Sequence, residues 1–265
     1  MLAQPRSIRM RRSTTARKQR EMEYKRIILD QAALEITRRC NLKCRHCLRG
    51  EAQNKDMDEL LIHNFFKQVE SINSLTLTGG EPSLCPHLVK QVVDSCKYHK
   101  VEVSNFYVAT NGVVHAHYDD FMVQLVRLWC MCIDNEISTV HISNDTYHED
   151  AATANPVNFK HHPLRALRFC DCTEEKPNRV FSRPMIIKQG RASKIPRARP
   201  PTPDYIQRPE DCDYLEGLVY VNVAGDLIEG CDWSYKSQYR HQFGNLYKTS
   251  LHKAIETIVL KNRSR

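Results

Sequence analysis

From residue 27 onward, short runs of aliphatic and β-branched residues alternate with stretches in which apolar positions recur every three or four residues. Residues 33–37 read as a strand. Leu61, Phe65 and Val69 then fall four apart, marking one face of a helix that Asp56 or Asp58 is placed to cap. Residues 74–78 form the next apolar run, followed by Leu88, Val92 and Cys96 on a second helical face. Residues 101–110 are rich in strand formers, Phe121, Leu125, Leu128 and Cys132 keep helical spacing, and 137–143 reads as a fourth strand. The pattern then weakens, and a helix over 158–169 and a strand over 183–188 continue it.

Strands alternating with helices imply right-handed crossovers and a parallel sheet or barrel, an α/β class in which periodicity alone does not choose between the two. Five of the twelve prolines lie between Pro196 and Pro209, a density that no regular element survives. Beyond it, 217–223 and 226–229 flank Ala224-Gly225 as a β-hairpin, and 250–260 reads as a closing helix. The expected organisation is an arm over 1–26, a core over 27–195, a proline-rich linker over 196–210 and a small hairpin-plus-helix lobe over 211–265.

Composition narrows the class. With 265 residues, 41% apolar and 26% charged, the chain has enough material for one large domain and is not of disordered type. Its longest apolar stretch, 125–133, is broken by Arg127 and is far shorter than the roughly 20 residues a membrane span needs. Residues 1–20 have no apolar centre of the kind a secretory signal carries, so a cytoplasmic protein with no membrane association is expected. Residues 1–20 carry +7 of the formal net charge of +8, so the basic character belongs to an arm. Such an arm suits phosphate contacts, a processed targeting segment or a solvated tail. Eleven cysteines, an odd count without an export signal, point to reduced thiols used as ligands.

Three of those cysteines, Cys40, Cys44 and Cys47, fall at CxxxCxxC spacing directly after the first strand. Structural zinc wants four closed ligands, usually as two pairs, whereas a cubane iron–sulfur cluster held by three thiolates keeps one iron open. An irregular zinc site or an unrelated loop cluster is the other reading of this segment taken alone. Thr78 is followed by Gly79-Gly80-Glu81-Pro82, Thr110 by Asn111-Gly112, and Ser143 by Asn144-Asp145. Each follows a strand, as the cysteine loop does, and in a parallel β/α array the C-terminal strand ends open on one side, where such folds bind ligands.

These residues resemble the radical S-adenosylmethionine superfamily. Cys40, Cys44 and Cys47 stand where its cluster ligands stand, with His46 at the usually aromatic position before the last cysteine. Gly79, Gly80, Glu81 and Pro82 match its GGEP motif, which receives the amino group of S-adenosylmethionine. Asn111 belongs to a threonine-asparagine-glycine motif, and Ser143 and Asp145 to a serine-x-aspartate motif near the cosubstrate. Arg191 lies in Gly190-Arg191-Ala192, similar to a glycine-arginine-alanine motif of many members. The resemblance covers about residues 30–192. It implies a partial (β/α)6 TIM-like barrel, a [4Fe–4S] cluster, S-adenosylmethionine and a low-potential electron donor such as a flavodoxin or ferredoxin. It also implies reductive cleavage of S-adenosylmethionine to a 5′-deoxyadenosyl radical that abstracts hydrogen from a substrate.

Cys212, Gly225 and Cys231, with Phe243-Gly244-Asn245-Leu246, look like the opening half of a SPASM/twitch extension, whose auxiliary clusters occur in peptide-modifying members. The Gly225 to Cys231 spacing is one residue longer than usual and the downstream cysteine run is absent, so one cluster is expected, with the lobe as a lid over the barrel mouth. This half-extension favours a peptide or protein side chain as substrate, the basic arm a nucleotide or nucleic acid, and a non-catalytic cysteine–metal interaction module is the reading from another class. Cys85, Cys96 and the Cys130/Cys132 pair read as packing thiols, and Cys170/Cys172 as a weaker ligand candidate. His148 is within reach of the substrate space. His161 and His162 fall in a basic helical stretch.

Overall fold

The computed structural model describes residues 26–113, 115–143, 168–171, 186–196, 198–202, 204, 206–209 and 214–263. Its strands are β1 (Ile27–Thr37), β2 (Val69–Gly79), β3 (Glu102–Thr110), β4 (Thr139–Ile142), β5 (Arg168–Asp171), β6 (Tyr214–Val221), β7 (Asp226–Glu229) and β8 (Gln242–Asn245). The helices are α1 (Glu59–Phe66), α2 (Pro86–His99), α3 (Tyr118–Met131) and α4 (Leu251–Arg263). One sheet holds all eight strands in the order β5-β4-β3-β2-β1-β6-β7-β8. β1 to β5 pair in parallel and step in one direction, the winding of a partial, TIM-like β/α barrel.

Local chemistry explains the helices. Asp58 caps α1 by accepting from the Leu60 N–H at 2.7 Å, which settles the choice between the two candidate caps. Pro86 occupies the first turn of α2, and Lys100 ends it in the left-handed conformation with φ 54°. Leu61, Phe65, Leu88, Val92, Cys96, Phe121, Leu125 and Leu128 all turn inward, and with Leu34, Leu75, Leu77, Phe106 and Val108 they form one apolar layer between helices and sheet. Each large side chain buried there contributes about 1.5–3 kcal/mol.

Several boundaries move. Val69 opens β2 instead of closing α1, because pairing with Ile27 recruits it to the sheet. Cys132 is the extended residue after α3, still buried, and Ile137 ends an exposed 3-10 turn ahead of β4. Arg168 and Phe169 belong to β5, paired with β4, where a helix was expected; the rest of 158–167 lies outside the described residues. Of 183–188 the described part makes a single bridge, Ile187 to Arg199. The hairpin and closing helix are present, but β6 pairs in parallel with β1, so residues 214–245 extend the same sheet. Among the described residues no helix is long and apolar enough to cross a membrane.

Candidate functional site

The loop after β1 turns back on itself, with the Cys47 N–H bonded to the Cys44 carbonyl at 3.2 Å. It meets the C-terminal ends of β2, β3 and β4 around a cavity of about 140 Å³. Cys40, Cys44, Cys47 and His46 line one side together with Leu42. Gly79, Gly80 and Glu81 line a second, Asn111 and Ser143 a third, and Arg191 closes the rim. Three strand-end loops and the cysteine segment thus meet, as their placement after strands predicts. Pro82 stays outside this wall, buried at the start of a short 3-10 turn that aims Glu81. Asp145 lies outside the described residues, as do Asn144, His148, His161, His162, Cys172 and Cys212.

The two glycines are there for want of space. Glycine 79 has φ 151°, and a Cβ on it would meet the Thr37 carbonyl oxygen at 2.1 Å. A Cβ on Gly80 would meet the Arg39 oxygen at 2.2 Å. This close approach lets the Gly80 and Glu81 N–H groups donate to the Thr37 and Arg39 carbonyls, each at 2.8 Å, continuing the ladder into the cysteine loop. Glu81 is 1% exposed. One carboxylate oxygen accepts from the Thr110 hydroxyl at 2.6 Å and the Ser83 N–H at 3.0 Å, the other from the Asn111 N–H at 2.7 Å. Burial pushes its pKa above the usual carboxylate value against the pull of these bonds.

Arg191 works on the cysteine loop from the other side. Its Nε donates to the Cys44 carbonyl at 2.8 Å and its backbone N–H to the Cys47 carbonyl at 3.0 Å, while Glu51 pairs with the guanidinium at 3.1 Å. Asn111 reaches across to Asn41 at 2.8 Å. Burial, with Glu81, Cys47 and Cys44 nearby, pushes the Cys40 thiol up to about 11. A metal reverses that preference, because ligation takes the thiolate. Among the described residues no three His, Cys, Asp or Glu side chains converge closely enough to hold a single ion. The three thiols line one cavity; structural zinc takes four ligands, whereas three thiolates on a cubane leave one iron open.

The remaining cysteines are elsewhere. Cys85 is fully buried beneath the Gly-Gly-Glu loop, where its sulfur takes a hydrogen bond from Arg39 at 2.9 Å. Cys96 and Cys132 are buried between helices, whereas Cys130 is exposed on α3, contrary to the expectation that the pair is core. Cys231 is half-buried beside Arg49 and Asp204, away from the cavity. Thr110, buried and bonded to Glu81, is a site residue whose role the motif alone did not disclose. Glu35 and Arg38, buried just upstream of Cys40, carried no sequence signal beyond a charge inside an apolar run.

The family model of the Radical SAM superfamily matches residues 34–189. An uncharacterized protein of Methanocaldococcus jannaschii is 36% identical over 66 residues, 24% of this chain and 23% of that protein. The protein YfkA of Bacillus subtilis is 37% identical over 81 residues, 29% of this chain and 22% of its own length. This chain therefore spans less than a quarter of either curated relative. Among solved structures, anSMEcpe with bound AdoMet and the Cp18Cys peptide aligns over 88% of this chain and 82% of its own, with TM-score 0.43 and 14% identity. Streptococcus suis SuiB bound to S-adenosylmethionine aligns over 94% and 72%, with TM-score 0.41 and 13% identity.

Proposed function

The chain belongs to the radical SAM superfamily, and from that premise we propose that it is an enzyme in which Cys40, Cys44 and Cys47 hold a [4Fe–4S] cluster beside S-adenosylmethionine. The observation that carries this reading is the single cavity shared by the three thiols, the Gly79-Gly80-Glu81 loop, Asn111 and Ser143. When bound, the two groups supply one-electron reductive cleavage of a carbon–sulfur bond and a carbon radical that takes a hydrogen atom from substrate. Glycines 79 and 80 let the β2 loop lie backbone against backbone on Thr37 and Arg39, which brings it beside the cysteines at the cavity. Glu81, with three acceptor sites engaged, keeps capacity on its carboxylate for an ammonium group. Asn111 ties the β3 loop to the cysteine loop, and Leu42 gives that side an apolar wall. His46, Ser143 and Asp145 complete the set assigned to cosubstrate binding.

A peptide or protein side chain is the substrate class favoured by the C-terminal resemblance to the SPASM/twitch extension. The electron is assigned to a low-potential donor of flavodoxin or ferredoxin type. The test is to incubate anaerobically reconstituted, chemically reduced full-length protein with S-adenosylmethionine and measure 5′-deoxyadenosine and methionine by mass spectrometry. Slow formation of both without added substrate is expected. A reduced, cluster-replete preparation that binds no S-adenosylmethionine and forms neither product would refute the reading.

A further inference from the structure

Two arginines flank the cysteine loop at equal distance, Arg38 two residues before Cys40 and Arg49 two residues after Cys47. Both are seized by the C-terminal segment. Arg38 is 7% exposed and spends its fork three ways: Nε on Glu35 at 2.5 Å, Nη2 on Gln238 at 2.6 Å, and Nη1 on Gln53 at 3.2 Å. Gln238 also donates to Glu35 at 2.8 Å and accepts from Asn222 at 3.2 Å, while the Tyr220 hydroxyl donates to Glu35 at 2.6 Å. Glu35, Tyr220 and Gln238 are all 2% exposed or less. Arg49 lies over the Tyr220 ring at 4.9 Å and donates to the Trp233 carbonyl at 2.7 Å, and its own carbonyl accepts from the Tyr235 N–H at 3.1 Å. Removing one member of such a satisfied, buried set leaves a charge or donor unpaired, so the contacts hold their geometry.

We propose that the C-terminal segment is a positioning element for the cysteine loop: Tyr220, Gln238 and the Trp233 carbonyl fix Arg38 and Arg49, and thereby keep the three thiols in the arrangement that a cluster needs. The inference rests on the reading that Cys40, Cys44 and Cys47 hold the cluster. It gives residues 231–241 a task that requires no second cluster, and it accounts for β6 lying beside β1, where Tyr220 faces Glu35.

The test uses the full chain, cluster-free and reconstituted, with Gln238→Met to remove both amide roles at similar volume and Arg49→Lys to keep the charge but lose the fork. Cys96→Ala, in the helix layer, serves as control. In the cluster-free protein, hydrogen exchange over residues 38–50 is expected to rise about tenfold in both variants while residues 86–99 stay at the wild-type rate. In the reconstituted protein, iron should pass to a chelator about tenfold faster, with a changed paramagnetic resonance line shape. The control should loosen residues 86–99 and leave the loop alone. Wild-type exchange over 38–50 in both variants, or equal loosening of 86–99, would overturn the proposal. Should wild-type protein take up no iron, the cluster reading fails, and exchange in the cluster-free chain still decides whether the segment positions the loop. If Gln238→Met does not fold, Arg49→Lys carries the decision.

Discussion

On its β2 side the cysteine loop is packed backbone against backbone, with Gly79 and Gly80 so close to Thr37 and Arg39 that no Cβ fits. On its C-terminal side the same loop is held by side chains, through Glu35, Arg38 and Gln238 in one cluster and Arg49 in another. The first contact is all or nothing, because a backbone collision cannot be relieved by rotating a bond. The second is graded, because each polar partner contributes a share of a network. Substitutions on the two sides should therefore fail differently, and that difference is open to measurement.

The largest effect is expected from Gly80→Ala. The new methyl would displace the Arg39 carbonyl and break the Glu81-to-Arg39 bond, destabilising the protein by about 3–4 kcal/mol in denaturant unfolding and abolishing S-adenosylmethionine binding. A variant as stable as wild type would break the steric half of the comparison. Next comes Glu81→Ala, which leaves the Thr110 hydroxyl and the Ser83 and Asn111 N–H groups without their acceptor. Affinity for S-adenosylmethionine, read by calorimetry, should fall at least about tenfold while iron content stays near wild type. Iron loss of similar size would mean that Glu81 serves the cysteine loop instead.

On the C-terminal side, the double variant Cys212→Ala/Cys231→Ala should keep wild-type iron and lose only about 1–3 kcal/mol of stability. Halved iron would show a second cluster there. The smallest effect concerns Asp56, which binds Thr37 at 2.6 Å and pairs with Arg39 at 2.8 Å behind the steric contact. Burial alone would raise its pKa, but hydrogen bonds from Thr37, Arg39 and Cys85 outweigh this and hold it below the ordinary 3.8. The carboxylate therefore stabilises the fold above that value, and the contribution disappears as pH falls through the lowered one. The pair is a third exposed, so Asp56→Asn should cost only about 0.5–1 kcal/mol at pH 7, with the gap to wild type closing as the pH falls below 3.8.

How much was legible in the chain divides along the same line. The β2 side was readable because its elements are local: alternating strand and helix patterns placed Gly79-Gly80-Glu81 and the cysteines at the ends of neighbouring parallel strands. The C-terminal side was not. Gln238 meets Arg38 across 200 residues, and a polar contact of that separation leaves no periodic trace. The hairpin was visible in Ala224-Gly225, but its parallel pairing of Tyr220 with Ala33 was not, since β6 reads equally well as a strand of a separate lobe. Arg191 was found through its motif, while its bonds to the Cys44 and Cys47 carbonyls needed the folded loop. Phe169 was misassigned because a short strand at the far end of the sheet carries less pattern than pairing with β4 supplies.

The central claim, that Cys40, Cys44 and Cys47 hold one [4Fe–4S] cluster in this cavity, is tested most directly by iron and sulfide analysis after anaerobic reconstitution. Wild-type protein is predicted to hold about four iron and four sulfide per chain, and the Cys40→Ala/Cys44→Ala/Cys47→Ala variant almost none while keeping its circular dichroism spectrum. A triple variant that retains the full complement would contradict the account.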